Sequence, residues 1–178
     1  KWLKVLSVLA SMVFCTLVYK NYEVISNAVF DSDFNFHRSV SDTRIDAVPY
    51  LDSTHQVVNK ELFGTDKYLL INLWSTSCGS CIAEFPVLDS LYVLAASGNS
   101  TAVYSACILI RDEDKLSREI VHRKCFHFPV LNIENWDKVK QYYGMNGVPL
   151  TYVVKNSKVL FRGSLLNAWH FIEAEGKE

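Results

Sequence analysis

The chain has 178 residues, 49% of them hydrophobic and 21% charged, enough for one full core and too few for two ordinary domains. Its formal net charge of −1 comes from nearly equal acids and bases, so no basic field exists to draw it onto a phosphate backbone, which argues against nucleic acid as a partner. The five cysteines cannot all pair within one chain and are too few for a disulfide-stapled miniprotein; no fixed-period repeat or low-complexity tract is present.

Residues 2–19 are an apolar stretch broken only by Lys4 and a few small hydroxyl residues, with Lys1 and Lys4 at its front. This is the pattern of a membrane-inserting helix, of a length between a signal-peptide core of about 7 to 15 residues and a full span of roughly 20. The following Lys20-Asn21-Tyr22-Glu23 carries no small-x-small cleavage signature, so residues 1–20 are expected to be an uncleaved anchor. Cys15 follows the bulky Phe14 and is expected to be a membrane-buried thiol, not a lipidated one. Basic residues at the front of a span stay in the cytoplasm, which places the rest of the chain outside it. Residues 21–46, with Asp31-Ser32-Asp33 and Ser39-Val40-Ser41-Asp42, are expected to be a juxtamembrane connector.

Residues 47–178 are expected to form one domain. Residues 47–51 and 56–58, separated by Asp52-Ser53-Thr54-His55, predict a short hairpin at a sheet edge, and Gly64-Thr65-Asp66 a turn. The near-continuous apolar run from Tyr68 to Trp74 predicts a strand buried on both faces. From Ser80 to Ala96, the spacing of Ile82, Phe85, Leu88, Leu91, Tyr92 and Ala95 predicts a helix with a kink signal at Pro86, ended by Ser97-Gly98-Asn99. A second strand is expected over 102–110, a second helix over 113–122, and a short stretch over 130–133 leading into a helix over 136–143. Residues 150–155 and 159–163 flank Asn156-Ser157 as a hairpin. Strand and helix alternate and a hairpin closes the set, which implies an α/β fold with a mixed sheet covered on both faces.

Cys78-Gly79-Ser80-Cys81 lies in the turn between the buried strand and the helix. Unpaired N–H groups and the positive end of the helix dipole favour Cys78 as thiolate, which makes it the expected nucleophile. Cys81, one turn on, is the expected resolving thiol. Half of a zinc site or a structural disulfide has the same pattern; Cys15, Cys107 and Cys125 are not spaced as a second zinc-binding pair, and structural bridges usually join distant segments. Glu84 lies three residues beyond Cys81, where a carboxylate can move the proton of Cys81 or simply be an exposed helix glutamate; Phe85-Pro86 suggests partial burial and a raised pKa. Pro149 is a strand start, or follows Val148 in cis and leaves the Val148 backbone beside the dithiol to pair with a substrate segment. Trp74, at the end of the strand, is expected to contact substrate with Val148 and Pro149.

The segment from Tyr68 through Trp74-Ser75-Thr76-Ser77-Cys78-Gly79-Ser80-Cys81-Ile82-Ala83-Glu84-Phe85-Pro86, with Tyr143-Gly144-Met145-Asn146-Gly147-Val148-Pro149, resembles the TlpA/ResA-type branch of the thioredoxin superfamily over about residues 47–166. The resemblance implies a thioredoxin-like fold, Cys78 and Cys81 as the redox pair, Glu84 as the acid of a Glu-Phe-Pro signature, and Pro149 as a cis-proline facing the dithiol. It also implies a bacterial inner-membrane protein with its domain in the periplasm, reducing disulfides of protein substrates, in some members during cytochrome c maturation, and recharged by a membrane redox donor. Ser77 and Ser80 depart from a tryptophan and a proline common in that family, at positions that tune redox poise and partner fit. A thiol peroxidase and a non-catalytic binding or assembly module are the alternative functions.

No metal or cofactor is called for. His122-Arg123-Lys124-Cys125-Phe126-His127 is read as a helix terminus in preference to a metal site, and Cys107 and Cys125 as a possible second disulfide if their segments meet. Trp136, Tyr142 and Tyr143 are expected in the core.

Overall fold

The computed structural model describes residues 43–109, 114–145 and 147–176. The expected anchor with Cys15, and the connector up to residue 42, lie outside the described residues. The strands are β1 (Tyr50–Leu51), β2 (Tyr68–Trp74), β3 (Thr101–Leu109), β4 (Val130–Glu134), β5 (Leu150–Lys155) and β6 (Lys158–Gly163). The helices are α1 (Asn59–Phe63), α2 (Gly79–Ala96), α3 (Asp114–Arg123), α4 (Trp136–Tyr143) and α5 (Leu165–Glu175).

The six strands form one sheet in the order β1-β4-β3-β2-β5-β6. β2, β3 and β4 are parallel, while β5 runs antiparallel to β2, β6 to β5, and β1 to β4. β2 sits in the middle because its side chains are apolar on both faces and need cover on both. On one face Leu69, Ile71 and Leu73 pack with Leu62 and Phe63 of α1 and with Val139 and Tyr143 of α4. On the other, Leu70 and Trp74 pack with Phe85, Leu88 and Leu91 of α2, Val121 of α3, and Leu165, Ala168 and Ile172 of α5. Each buried Val, Leu, Ile or Phe among them contributes about 1.5 to 3 kcal/mol, and together they fix the depth and direction of α2 on the sheet.

The expected mixed sheet with helices on both faces is what the chain forms. Three local readings change. The N-terminal hairpin shrinks to two-residue β1 with a single bridge from Leu51 to Val57, because the Asp52 carboxylate binds the N–H groups of Thr54 and Gln56 and curls the segment into a tight loop. The domain begins before residue 47: Thr43 and Ile45 are buried, and the Tyr143 hydroxyl donates to the Ile45 carbonyl at 2.9 Å. α2 runs unbroken through Pro86, which is exposed and removes only the N–H that would bond the Ile82 carbonyl. Sequence reasoning missed α1 and α5, although Leu165, Ala168 and Ile172 carry helical spacing.

Candidate active site: a dithiol at a helix N-terminus

After Trp74 the chain turns through Ser75-Thr76-Ser77, closed by a Cys78 N–H to Ser75 carbonyl bond of 3.0 Å, and Cys78 becomes the N-cap of α2. Its Sγ accepts from the backbone N–H of Cys81 at 3.2 Å, so the sulfur lies at the positive end of the helix dipole. Cys78 and Cys81 are joined as a disulfide with their Cα atoms 5.3 Å apart. Cys81 is fully buried and Cys78 is half-buried. An incoming sulfur therefore reaches Cys78 alone, which gives the two thiols unequal roles.

Two further groups touch the Cys78 sulfur. The Ser80 hydroxyl lies 3.4 Å away and is the donor, since a disulfide sulfur carries no proton. The Val148 carbonyl lies 3.6 Å away, and becomes an acceptor only once reduction puts a proton on the sulfur. Ser80 and the Cys81 N–H thus favour the thiolate of Cys78, and the Val148 carbonyl favours its thiol.

Behind the dithiol lies a buried polar group that the sequence reading did not single out. Asn72 is fully buried in the middle of β2, opposite Thr151 of β5. Its amide donates to Thr151 Oγ1 at 3.0 Å and to Glu84 Oε2 at 3.3 Å. Asn72 Oδ1 has no partner among the described residues. Burial pushes the Glu84 carboxyl above its ordinary range, and the Asn72 hydrogen bond offsets this only in part. Glu84, one turn beyond Cys81 on α2, is thereby able to hold or take up a proton. The available signal was a lone asparagine inside an otherwise apolar strand.

Val148-Pro149 is a cis peptide, and it brings the Val148 backbone to the dithiol from the start of β5. Trp74 departs from its expected role. It is fully buried and edge-on to Phe85 of α2 at 4.9 Å, so its ring is covered by that helix and presents no surface to a substrate. Alternation along β2 turns it to the α2 face, with Leu70 and Asn72. Cys107 is buried in β3, Cys125 is exposed after α3, and neither forms a disulfide. His127 binds Asp89 of α2 through its backbone N–H at 2.6 Å and its ring at 3.0 Å, tying the loop before β4 to α2. No group of three or more His, Cys, Asp or Glu side chains able to hold a metal ion occurs among the described residues.

No protein-family model matches the chain. A solved structure of the thioredoxin domain of a thiol-disulfide oxidoreductase from Bacteroides vulgatus superposes with a TM-score of 0.63, over 78% of this chain and 98% of that one, at 18% identity. The fold is thioredoxin-like. A thiol:disulfide interchange protein from a Bacteroides species matches the thioredoxin-like domain with a TM-score of 0.56 at 19% identity, over 73% of this chain and 84% of that one. In sequence, a thioredoxin from Chlorobaculum thiosulfatiphilum is 21% identical over 111 residues, 62% of this chain and 78% of that protein. At the switch from strand to helix in this thioredoxin-like domain sit Cys78 and Cys81, already paired.

Proposed function

We propose that the chain is a membrane-tethered thiol:disulfide oxidoreductase that reduces disulfides of protein substrates outside the cytoplasm. The observation that carries the chemistry is the asymmetric pair: an accessible Cys78 capping a helix and a buried Cys81 directly behind it. The Cys78 thiolate attacks one sulfur of the substrate disulfide; that bond breaks, and the departing substrate thiolate takes a proton from solvent. Cys81 then loses its proton toward Glu84 and attacks Cys78 Sγ, which expels the second substrate sulfur as a thiolate that takes a proton from solvent, and forms the Cys78–Cys81 disulfide seen here. Two electrons pass from the dithiol to the substrate, and a membrane redox donor carrying its own dithiol restores the reduced state.

The tether and the extracytoplasmic location rest on the apolar run over residues 2–19 behind Lys1 and Lys4. The reducing direction, the periplasmic setting and a part in cytochrome c maturation or envelope redox balance rest on the resemblance to the TlpA/ResA type. Cys81→Ala is expected to trap substrates as mixed disulfides on Cys78, visible as adducts on a non-reducing gel that vanish with a reductant. A Cys81→Ala chain that captures nothing, together with a purified domain that consumes hydrogen peroxide, would replace this reading by a peroxidase.

A further inference from the structure

Across the sheet from α2, the turn before the dithiol and the Val148 loop enclose a cavity of about 110 Å³ lined by Ser75, Ile108, Trp136, Gly147 and Val148. Ser75 and Ile108 are buried and form its floor, while Trp136, Gly147 and Val148 are half-buried and form its rim. Its walls carry no charged side chain, and Ile108, Trp136 and Val148 are apolar. Lys140 lies over the Trp136 ring, 5.4 Å from its centre, and helps hold the indole in place. The volume falls between the roughly 30 Å³ of one water and the roughly 150 Å³ that takes up a benzene ring.

We propose that this cavity is a specificity pocket that receives one aliphatic side chain of the substrate polypeptide, from a residue next to the cysteine that Cys78 attacks. The inference rests on the oxidoreductase reading and names its substrate class: proteins whose reactive cysteine is flanked by a leucine-sized residue. Position is the argument for this occupant. Val148 forms one wall, and its carbonyl lies 3.6 Å from Cys78 Sγ. Ser75 forms another, and its carbonyl accepts the Cys78 N–H. A substrate sulfur bonded to Cys78 is held about 2 Å from that Sγ, which brings the residues next to the substrate cysteine within reach of the rim of the pocket. An apolar pocket at that distance rewards an apolar neighbour and leaves a polar one desolvated.

The experiment uses short peptides, each with one cysteine in a mixed disulfide with glutathione, in which a single leucine is moved through the two positions on either side of the cysteine and compared with serine. One position is expected to give a kcat/KM about tenfold higher with leucine, the size of effect that burying an aliphatic side chain produces. In Trp136→Ala the leucine-to-serine ratio is expected to fall to within about twofold of one, and in Trp136→Phe, with a wider pocket, to move in favour of methionine or phenylalanine. The ratio is internal to each variant, so loss of folded protein does not imitate the result. A flat leucine scan, or a preference unchanged in both Trp136 variants, overturns the pocket. Failure of the parent chain to reduce any peptide, or oxidised glutathione itself, overturns the oxidoreductase reading and the pocket with it.

Discussion

Replacing Asn72 with leucine removes the only side-chain donor to Glu84 among the described residues while keeping the volume that β2 buries. At high pH, where Glu84 is ionised in the folded chain, the substitution removes a hydrogen bond to a charged acceptor, about 2 kcal/mol. It also removes the bond to Thr151, about 1 kcal/mol, and the unpartnered Oδ1, whose desolvation costs a similar amount; these last two nearly cancel. At low pH, with Glu84 protonated, the lost bond is one between neutral groups, about 1 kcal/mol, so the difference shrinks by about half. The Glu84 carboxyl is held above its ordinary 4.5 in the folded state by burial, so the folded chain binds more protons than the unfolded one across the window above that value, and stability falls as pH rises through it. Asn72→Leu steepens the fall and extends it to higher pH, whereas Glu84→Gln removes it. Urea unfolding of the oxidised domain from pH 4 to pH 9 measures this. A difference between Asn72→Leu and the parent chain that stays constant with pH, or one that shrinks as pH rises, would show that Asn72 does not hold the Glu84 carboxylate.

Other consequences follow from the same geometry. Ser80→Ala removes a donor to the Cys78 sulfur and is expected to make the couple more reducing by about 15 mV in glutathione equilibration, taking the exposed hydrogen bond as about 0.7 kcal/mol; Ser80→Thr is expected to stay near the parent value, and an unchanged or less negative Ser80→Ala potential refutes the assignment. In the reduced domain, iodoacetamide is expected to label Cys78 at least about tenfold faster than Cys81, read by peptide mass mapping, because only Cys78 reaches solvent; equal rates would remove the basis for their separate roles. Phe85→Ala is expected to cost about 3 to 5 kcal/mol in urea unfolding, since Phe85 is fully buried and meets Trp74, Phe126 and Phe128 edge-on; a cost under about 1.5 kcal/mol would mean that this aromatic cluster does not anchor α2.

Much of this protein could be read in its residues because the informative signals are local. The apolar run Tyr68–Trp74, the helical spacing from Ile82 to Ala95 and the turn at Asn156-Ser157 each lie within a few residues, and each became the element expected. Cys78 and Cys81 were equally legible, since a helix N-terminus and the spacing of one turn need no distant partner. What lay beyond reach depends on which way a side chain faces and what the fold brings opposite it. Trp74 and Asn72 are two residues apart on one face of β2; whether that face meets substrate or core was decided by α2 folding back over it. Thr151 meets Asn72 across 79 residues of sequence, and Val148 meets Cys78 across 70. Trp136, expected in the core, stands at a pocket beside the dithiol because parallel β3 and β4 place the start of α4 at the same end of the sheet as the end of β2. The residues alone determined the reactive pair and the strand and helix that carry it; the tertiary structure alone decided which thiol is accessible, which carboxyl is desolvated and what surrounds the sulfur, since burial and the charge shifts it causes come from packing between segments far apart in the chain.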